Sequence, residues 1–252
     1  MYRVRVIPTL LLQNGGLVKT IRFKKPKYIG DPINAVKIFN DKEVDEIVLL
    51  DIEATKKGLE PNYSRIKDIC SEAFMPFAYG GGIKKIAQAK KIFDCGIEKV
   101  VLNTSVFENP GLVEKIASVY GSQSVVISVD VKTTWYKRKY VFSHSGTKNR
   151  RINPIDFASH AEKLGAGELV VNNIDREGTY KGYDLELIKR ISETVSIPVV
   201  ALGGASCLDD FGRAINMGAS AVAAGSLFVY SGNERGILIN YPSQDSLKNY
   251  LL

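Results

Sequence analysis

Two halves of this sequence repeat one another at a spacing of 122 residues. Residues 76–82 read Pro-Phe-Ala-Tyr-Gly-Gly-Gly, and residues 198–204 read Pro-Val-Val-Ala-Leu-Gly-Gly. Other residues match in the same register, and the pairs are Glu46 with Glu168, Gly96 with Gly218, Asn103 with Gly225, and Thr104 with Ser226. A register shared over half the chain predicts two similar structural units, because chance resemblance between apolar strands would not also match glycines and hydroxyl groups.

Eight short runs of β-branched residues recur along the chain, and an amphipathic stretch follows each of them. We predict strands at residues 4–11, 46–52, 76–79, 99–103, 124–130, 168–174, 197–202 and 221–224. Most of these runs are apolar throughout, as expected for parallel strands covered by helices. Strands that alternate with helices predict an α/β fold. We expect a single (β/α)₈ TIM barrel over residues 1–252, assembled as a two-fold repeat of half-barrels.

Local signals mark some of the helix starts and one long loop. Asp31 precedes Pro32 and predicts an N-cap followed by proline in the first turn. Ser206 with Asp209 predicts a capping box at another helix. Residues 133–145 follow the fifth strand and alternate aromatic with polar residues. We predict a small hairpin over the barrel mouth there, where barrel enzymes place functional loops.

The composition narrows the functional class. The net charge is +7, but the basic residues are spread along predicted helices, so we expect an anionic substrate and no nucleic acid. No apolar run is long enough to cross a membrane, and the amino terminus lacks the pattern of a signal peptide. Three cysteines without metal spacing indicate a reducing cytoplasm, and we expect neither a bound metal nor a cofactor.

Glycines and hydroxyl residues follow four of the predicted strands, two in each half. The first set is Gly81, Gly82, Asn103 and Thr104, and the second set is Gly203, Gly204, Gly225 and Ser226. Glycine lets backbone N–H groups approach an anion, and hydroxyl groups donate further hydrogen bonds. We predict a phosphate site in each half, suited to a small molecule with a phosphate at each end. The alternative is that these glycines only form tight turns.

Charged residues are predicted at both ends of the barrel. Asp130 ends the fifth strand, where a carboxylate can act as an acid or base, and we predict a catalytic role for it. For Asp51 and Asp175 a role in the site and a role in capping a loop both stay open. At the opposite rim, four residues begin strands one, two, four and six: Arg5, Glu46, Lys99 and Glu168. Sequence alone favours a ring that seals the barrel bottom.

Several segments together resemble the HisF family, the cyclase subunits of imidazole glycerol phosphate synthase. They are residues 5–8, 16–19, 30–32, 80–82, 103–104, 120–123, 174–179 and 182–184. The resemblance implies a two-fold repeated barrel with two phosphate sites. It also implies that a glutamine amidotransferase (HisH-like) subunit delivers ammonia along the barrel axis, and that the rim residues Arg5, Glu46, Lys99 and Glu168 form the ammonia gate. Substrate contacts are expected at Lys19, Asp51, Asp175, Glu177 and Gly178.

The chain departs from the family at one catalytic position. The family reads Ile-Pro-Cys-Leu-Asp-Val in strand one, whereas this chain has Leu11 in place of that aspartate and keeps Asp130. Asn172 and Glu177 also stand where the family commonly has threonine and aspartate. Loss of a general acid or base lowers a rate by roughly 10²–10⁴-fold, so ordinary histidine biosynthesis is unexpected.

Three functional hypotheses remain. Residues 10–12, 26–35 and 237–242 resemble a divergent HisF branch associated with amidination of surface sugars. That resemblance implies a dedicated amidotransferase and a third, ATP-using protein. The first hypothesis is therefore a subunit that serves amidino-sugar biosynthesis for surface polysaccharides. The second is the true cyclase of histidine biosynthesis, and the third is a non-catalytic ammonia conduit that activates the glutaminase.

Overall fold

The computed structural model describes residues 4–232 and 234–251. The strands are β1 (Arg5–Gln13), β2 (Gly16–Ile21), β3 (Lys24–Gly30), β4 (Ile47–Asp51), β5 (Phe77–Gly80), β6 (Lys99–Leu102), β7 (Val125–Thr133), β8 (Lys139–Ser143), β9 (Lys148–Asn149), β10 (Glu168–Asn173), β11 (Val199–Leu202), β12 (Ala221–Ala224), β13 (Tyr230–Ser231) and β14 (Gly236–Ile237). The helices are α1 (Pro32–Asp41), α2 (Ala54–Lys57), α3 (Tyr63–Cys70), α4 (Ile86–Asp94), α5 (Thr104–Glu108), α6 (Gly111–Tyr120), α7 (Pro154–Lys163), α8 (Leu185–Ser192), α9 (Leu208–Asn216), α10 (Ser226–Val229) and α11 (Gln244–Leu251), with a 3₁₀ turn at Ser122–Ser124.

Eight parallel strands close into a barrel. Their order is β1, β4, β5, β6, β7, β10, β11 and β12, and β12 pairs with β1 to complete the circle. All eight strands predicted from the sequence are confirmed, with ends that differ by a few residues. The fold is the (β/α)₈ TIM barrel, and the helices between the strands cover its outer face.

The inward-facing side chains form layers along the barrel axis, because every second residue of a strand points to the same face. The middle layer is aliphatic and includes Ile7, Val48, Val101, Val126 and Val170. The outward-facing residues belong to a second, larger cluster that packs against the helices. This arrangement separates the polar groups at the two ends of the barrel by an apolar layer.

The half-barrel repeat extends to the helix caps. Helices α1 and α7 begin 122 residues apart, as do α3 with α8 and α4 with α9. Asp31 caps α1, as predicted, and Asn153 caps α7 in the same way. The predicted capping box of Ser206 with Asp209 is wrong. The N-cap of α9 is Cys207, and Asp210 accepts hydrogen bonds from Ser206 N and Oγ at 2.8 and 2.7 Å.

Two hairpins extend from the barrel mouth, the end at which the strands finish. The predicted hairpin after the fifth strand is confirmed, since β8 runs antiparallel to β7. A hairpin that we did not predict, which we call the first hairpin, continues β1 into β2. Its turn contains Asn14 and Gly15, whose φ values are 49° and 77°. Both central residues of a type I′ turn need a positive φ, and Asn-Gly is its preferred pair.

Among the described residues, no helix has the length and apolar character that a membrane crossing requires.

Candidate active site

A cavity opens at the barrel mouth and contains most of the predicted site residues. Its walls include Lys19, Asp51, Gly81, Gly82, Asn103, Thr104, Asp130 and Glu177, together with Leu11. The walls also include Thr9, Thr55, Lys56 and Lys84, which sequence reasoning missed. Lys56 and Lys84 follow strand ends in helix-start segments, where lysines are usually solvated, so no local signal distinguished them. With Lys19, three lysines line one cavity.

Asp130 is the central carboxylate of this cavity. Its Oδ1 atom accepts hydrogen bonds from Ser128 Oγ at 2.9 Å and from Asn172 Nδ2 at 3.3 Å. Burial raises the pKa of Asp130 from 3.8 to about 6, although the two hydrogen bonds oppose that rise. A carboxylate with a pKa close to neutrality can exchange protons with a substrate. Leu11 lies in the same cavity and offers no proton-transferring group.

The predicted first anion site consists of Gly81, Gly82, Asn103 and Thr104. Gly81 has a φ of 124°, and a Cβ atom there would lie 2.5 Å from the Asp51 carbonyl oxygen, so only glycine fits. The Asn103 amide donates to the backbone oxygens of Ser128 and Phe142 at 3.0 and 3.1 Å, which ties β6 to β7 and β8. Backbone groups, the Thr104 hydroxyl and nearby lysines therefore remain to meet an anion.

The predicted second anion site consists of Gly203, Gly204, Gly225 and Ser226. These residues lie outside the walls of the cavity. Lys19 covers Gly225 so closely that a Cβ atom there would collide with Nζ. Lys19 forms a buried ion pair with Glu177, and Thr20 Oγ1 donates to the same carboxylate at 3.1 Å. Thus the first hairpin brings a cation to the second site.

Three further predicted residues occupy the loops of the mouth. Asp51 accepts hydrogen bonds from Glu53 N and Ala54 N at 2.9 and 3.0 Å, and burial raises its pKa while these bonds oppose the rise. Asp175 accepts from Thr133 N at 2.7 Å and thereby ties two loops together. Gly178 has a φ of 70° and packs under the first hairpin.

Within residues 4–232 and 234–251, no group of three or more His, Cys, Asp or Glu is arranged to hold a metal ion.

Buried polar atoms without a protein partner lie at the mouth. Among the described residues, Thr9 Oγ1, Asn172 Oδ1 and Ser226 Oγ have none. Thr9 and Asn172 line the cavity. Since a buried polar atom without a partner costs about 1–3 kcal/mol, these atoms indicate that the mouth is built to receive a polar ligand or water.

The four charged residues at the opposite rim form a closed ring of ion pairs, which we call the charge ring. Arg5 binds both Glu46 and Glu168. Lys99 Nζ binds Glu46 at 2.9 Å and Glu168 at 3.0 Å. Burial lowers the pKa of Arg5, but the hydrogen bonds and charges of the two glutamates outweigh burial and raise it. Both glutamates are buried, and each is shared by two cations.

Comparison with known proteins agrees with this geometry. The pattern of the family described as "Histidine biosynthesis protein" matches residues 5–234. The chain belongs to this family. It is 49% identical over 251 residues to "Putative imidazole glycerol phosphate synthase subunit hisF2" of Pseudomonas aeruginosa, covering 98% of this chain and 99% of the relative. It is 48% identical over 247 residues to "Putative imidazole glycerol phosphate synthase subunit HisF" of Leptospira interrogans, covering 97% of each.

Relatives whose names assign the enzyme without qualification are more distant. "Imidazole glycerol phosphate synthase subunit HisF" of Exiguobacterium sibiricum is 39% identical over 231 residues, which is 90% of this chain and 91% of the relative. The chain is therefore a HisF-family protein of the cyclase-subunit type. Its higher similarity to the two paralogues agrees with a divergent branch, as the sequence segments indicated.

Proposed function

We propose that this HisF-family barrel accepts ammonia from a glutamine amidotransferase subunit and binds a phosphorylated substrate at its mouth, in the biosynthesis of amidino sugars for surface polysaccharides. One arrangement carries the proposal. The charge ring, the aliphatic middle layer and the Asp130 cavity follow one another along the barrel axis. In this proposal they serve as the entrance, the apolar route and the reaction chamber for ammonia.

The middle layer suits ammonia rather than ammonium. Burying an unpaired charge among aliphatic side chains is costly, whereas a small uncharged molecule meets no such penalty. The charge ring contains two cations and two anions, so it has no excess charge that would hold an ammonium ion at the entrance. The ring residues act as the ammonia gate in this proposal, and the amidotransferase docks on the face that contains them.

A phosphorylated substrate explains the chemistry of the mouth. Lys19, Lys56 and Lys84 line the cavity, and glycines with positive φ, which favour close approach of the backbone to an anion, occur at both predicted anion sites. In this proposal the substrate contacts are Lys19, Asp51, Glu177 and Gly178 together with both anion sites. Asp175 acts by holding the loops, because its carboxylate is engaged by a backbone N–H group.

Leu11 favours the amidino-sugar pathway over histidine biosynthesis. Conversion of an acetamido group into an acetamidino group requires that the amide oxygen first be activated by transfer of a group from ATP. Ammonia then attacks the carbon, and the C–O bond breaks as the activated oxygen leaves with that group. An ATP-using third protein supplies the activation in this proposal, so the barrel needs fewer proton-transferring groups of its own. The aliphatic side chain of Leu11, in the same cavity as Asp130, fits that reduced demand.

A second candidate is the cyclase of histidine biosynthesis. It is favoured by Asp130, whose pKa of about 6 suits acid-base catalysis, and by the glycines of both anion sites. The two candidates differ in a direct test. We expect the unaltered gene to fail to rescue a strain that lacks the histidine cyclase, and efficient rescue would return the chain to histidine biosynthesis.

Docking is tested by co-expression with a HisH-type glutamine amidotransferase. We expect a one-to-one complex whose glutamine hydrolysis exceeds that of the amidotransferase alone. Glu98→Gln is a control near the same rim that leaves the ring pairs intact, whereas Lys99→Met should uncouple glutamine hydrolysis from ammonia use. A partner that is fully active alone and forms no complex would contradict the proposal.

Substrate binding is tested with ligands that differ only in phosphate number. We expect a bis-phosphorylated ligand to bind more tightly than its mono-phosphorylated counterpart, because it reaches both anion sites. Thr104→Val should abolish that difference, since it removes a hydroxyl of the first site. Equal affinity of the unaltered protein for both ligands would show that one of the two sites does not bind phosphate.

The Asp130→Asn variant separates catalysis from conduction, because a pure conduit would still deliver ammonia.

A further inference from the structure

Thr9 is a buried polar residue of the cavity that has no part in the proposed function. It is 4% exposed, and its Oγ1 atom makes no hydrogen bond with any described residue. Thr9 nevertheless lines the same cavity as Asp130. A buried hydroxyl group without a partner lowers stability unless a ligand or water binds to it, so its position beside a cavity indicates a small polar ligand.

The alternation of side chains along β1 gives the depth of Thr9 in the barrel. Ile7 belongs to the aliphatic middle layer, and Leu11 lines the cavity. Thr9 lies between them on the same face of the strand, so it is the first inward-facing residue of β1 above the middle layer. On β7 the same alternation places Ser128 at this depth and Asp130 one step nearer the mouth. Thr9 therefore belongs to the floor of the cavity.

The other buried polar atoms of the mouth are less suited to bind a ligand at this floor. Asn172 Oδ1 lies against Gly203, where a Cβ atom would be only 2.6 Å from it. Ser226 lies outside the walls of the cavity. Ser128 Oγ already donates its proton to Asp130 Oδ1 at 2.9 Å. Within the described part of the chain, the Thr9 hydroxyl is therefore the group of the floor whose hydrogen bonds are all unused.

The position of Thr9 decides from which end a ligand reaches it. A molecule from the mouth has to pass the level of Leu11 and Asp130, which are the next inward-facing residues of their strands. A molecule from the charge ring crosses only the aliphatic middle layer, which admits a small uncharged molecule and opposes an ion. Ammonia that enters through the charge ring thus arrives at the level of Thr9 before it arrives at that of Asp130.

A hydroxyl group is chemically suited to uncharged ammonia. The hydroxyl both donates and accepts hydrogen bonds, as ammonia does. A carboxylate in its place would favour the ammonium ion, whose nitrogen has no lone pair with which to attack a carbon atom. An aliphatic side chain would leave the N–H groups of a buried ammonia molecule without a partner.

We propose that the Thr9 hydroxyl binds one molecule of uncharged ammonia at the floor of the cavity, between the aliphatic middle layer and Asp130. The inference rests on the proposed function, because it takes the ammonia to arrive through the middle layer. It makes Thr9 a binding residue for the ammonia and assigns it no proton transfer.

NMR of leucine and valine methyl groups measures this binding directly, since Leu11, Leu50 and Val101 line the same cavity. Ammonium chloride is titrated at pH 9, where much of it is uncharged ammonia, and at pH 7.5, where little of it is. Sodium chloride at equal ionic strength is the reference. We expect the methyl shifts to follow the uncharged form, with half-saturation on the order of 0.1 M, since a ligand with one non-hydrogen atom binds no more tightly.

Two variants of Thr9 differ in the hydroxyl group. Thr9→Val keeps the shape of the side chain without the hydroxyl, so ammonia should bind roughly tenfold more weakly, as the loss of one hydrogen bond implies. Thr9→Ser keeps the hydroxyl and should retain binding. Ser192→Ala is the matched control, because it removes a buried hydroxyl of α8 that also has no partner among the described residues. Neither Thr9→Val nor Ser192→Ala should lower the free energy of unfolding in urea, since no hydrogen bond is lost.

Three results would overturn the inference. Equal binding by the unaltered protein and Thr9→Val would remove the assignment to Thr9. Methyl shifts that follow the ammonium concentration at both pH values would indicate a bound cation in place of ammonia. A titration without saturable shifts would show that the floor of the cavity binds no ammonia. Each of these results refutes this inference alone, whereas failure of the amidotransferase complex to form would refute the proposed function.

Discussion

Replacement of Asp130 by asparagine should stabilise the protein at neutral and alkaline pH. Both hydrogen bonds to this side chain are accepted by one oxygen, Oδ1, from Ser128 and Asn172. An asparagine whose oxygen takes that position keeps both bonds and turns its NH₂ group into the cavity. The substitution therefore removes a buried charge without leaving either donor unpaired.

The size of the effect follows from the pKa. Burial raises the pKa of Asp130 from 3.8 to about 6, and one pKa unit corresponds to about 1.4 kcal/mol. Ionisation of Asp130 thus lowers the free energy of unfolding by about 3 kcal/mol at pH values above 7. Because the pKa is raised in the folded state, this loss is absent below about pH 4 and develops as the pH rises to about 6.

Thermal and urea unfolding between pH 4 and pH 8.5 test this expectation. A chain of this length shifts its melting temperature by about 2–4 °C per kcal/mol, so Asp130→Asn should melt roughly 6–12 °C higher at pH 8 and no higher at pH 4. Asp31→Asn is the control of opposite sign. Burial raises the pKa of Asp31, but the N–H of Asn34 and the guanidinium of Arg65 outweigh burial and lower it. A stabilisation by Asp130→Asn that is absent at pH 8, or equal at both pH values, would refute the reasoning.

Three other substitutions have defined outcomes. Gly81→Ala should lower the free energy of unfolding in urea by about 3 kcal/mol, because the new Cβ atom meets the neighbouring backbone. Gly58→Ala is the control: Gly58 has a positive φ but open space around it, so the same free energy should fall by only about 1 kcal/mol. Glu168→Gln should cost about 3 kcal/mol by the same measurement, since it breaks the charge ring, and an unchanged value would show that the ring adds no stability. Leu11→Asp should give trace cyclase turnover in an assay with ammonia, because Asp130 remains; no gain over the unaltered protein would place the lost activity elsewhere.

The strands could be predicted because periodicity and burial agree along them. A parallel strand buried on both faces is apolar along its length, and turn residues bound each run. The hairpin of β1 and β2 was missed although Asn14-Gly15 marked it. The flanking run, residues 16–21, contains Lys19 and a threonine, and polar residues such as lysine are unusual in a buried strand. In the fold both are buried, because the hairpin packs over the mouth and pairs Lys19 with Glu177.

The conformation of the strand-end glycines could be predicted because the backbone decides it. Glycines at strand ends reveal positive φ and close approach, and the repeat marks them twice. The lysines of the cavity could not be found in this way, since Lys56 and Lys84 are exposed residues of segments where lysines are usually solvated. The capping error at α9 has a similar origin. Asp210 and not Asp209 reaches back to Ser206, and only the angular position on the helix decides between two adjacent carboxylates.

The repeat provides two similar backbones, and one matched position makes them unequal. Asn103 and Gly225 are equivalent residues that precede α5 and α10 with similar backbone angles. The Asn103 side chain fills its own site and binds two backbone oxygens, whereas the missing side chain of Gly225 leaves the space that Lys19 enters. The first hairpin can therefore supply its cation to only one of the two sites. A substrate with an anion at each end would meet Lys19 at one end and the Thr104 hydroxyl at the other, so a symmetric scaffold can hold an asymmetric molecule in a single direction.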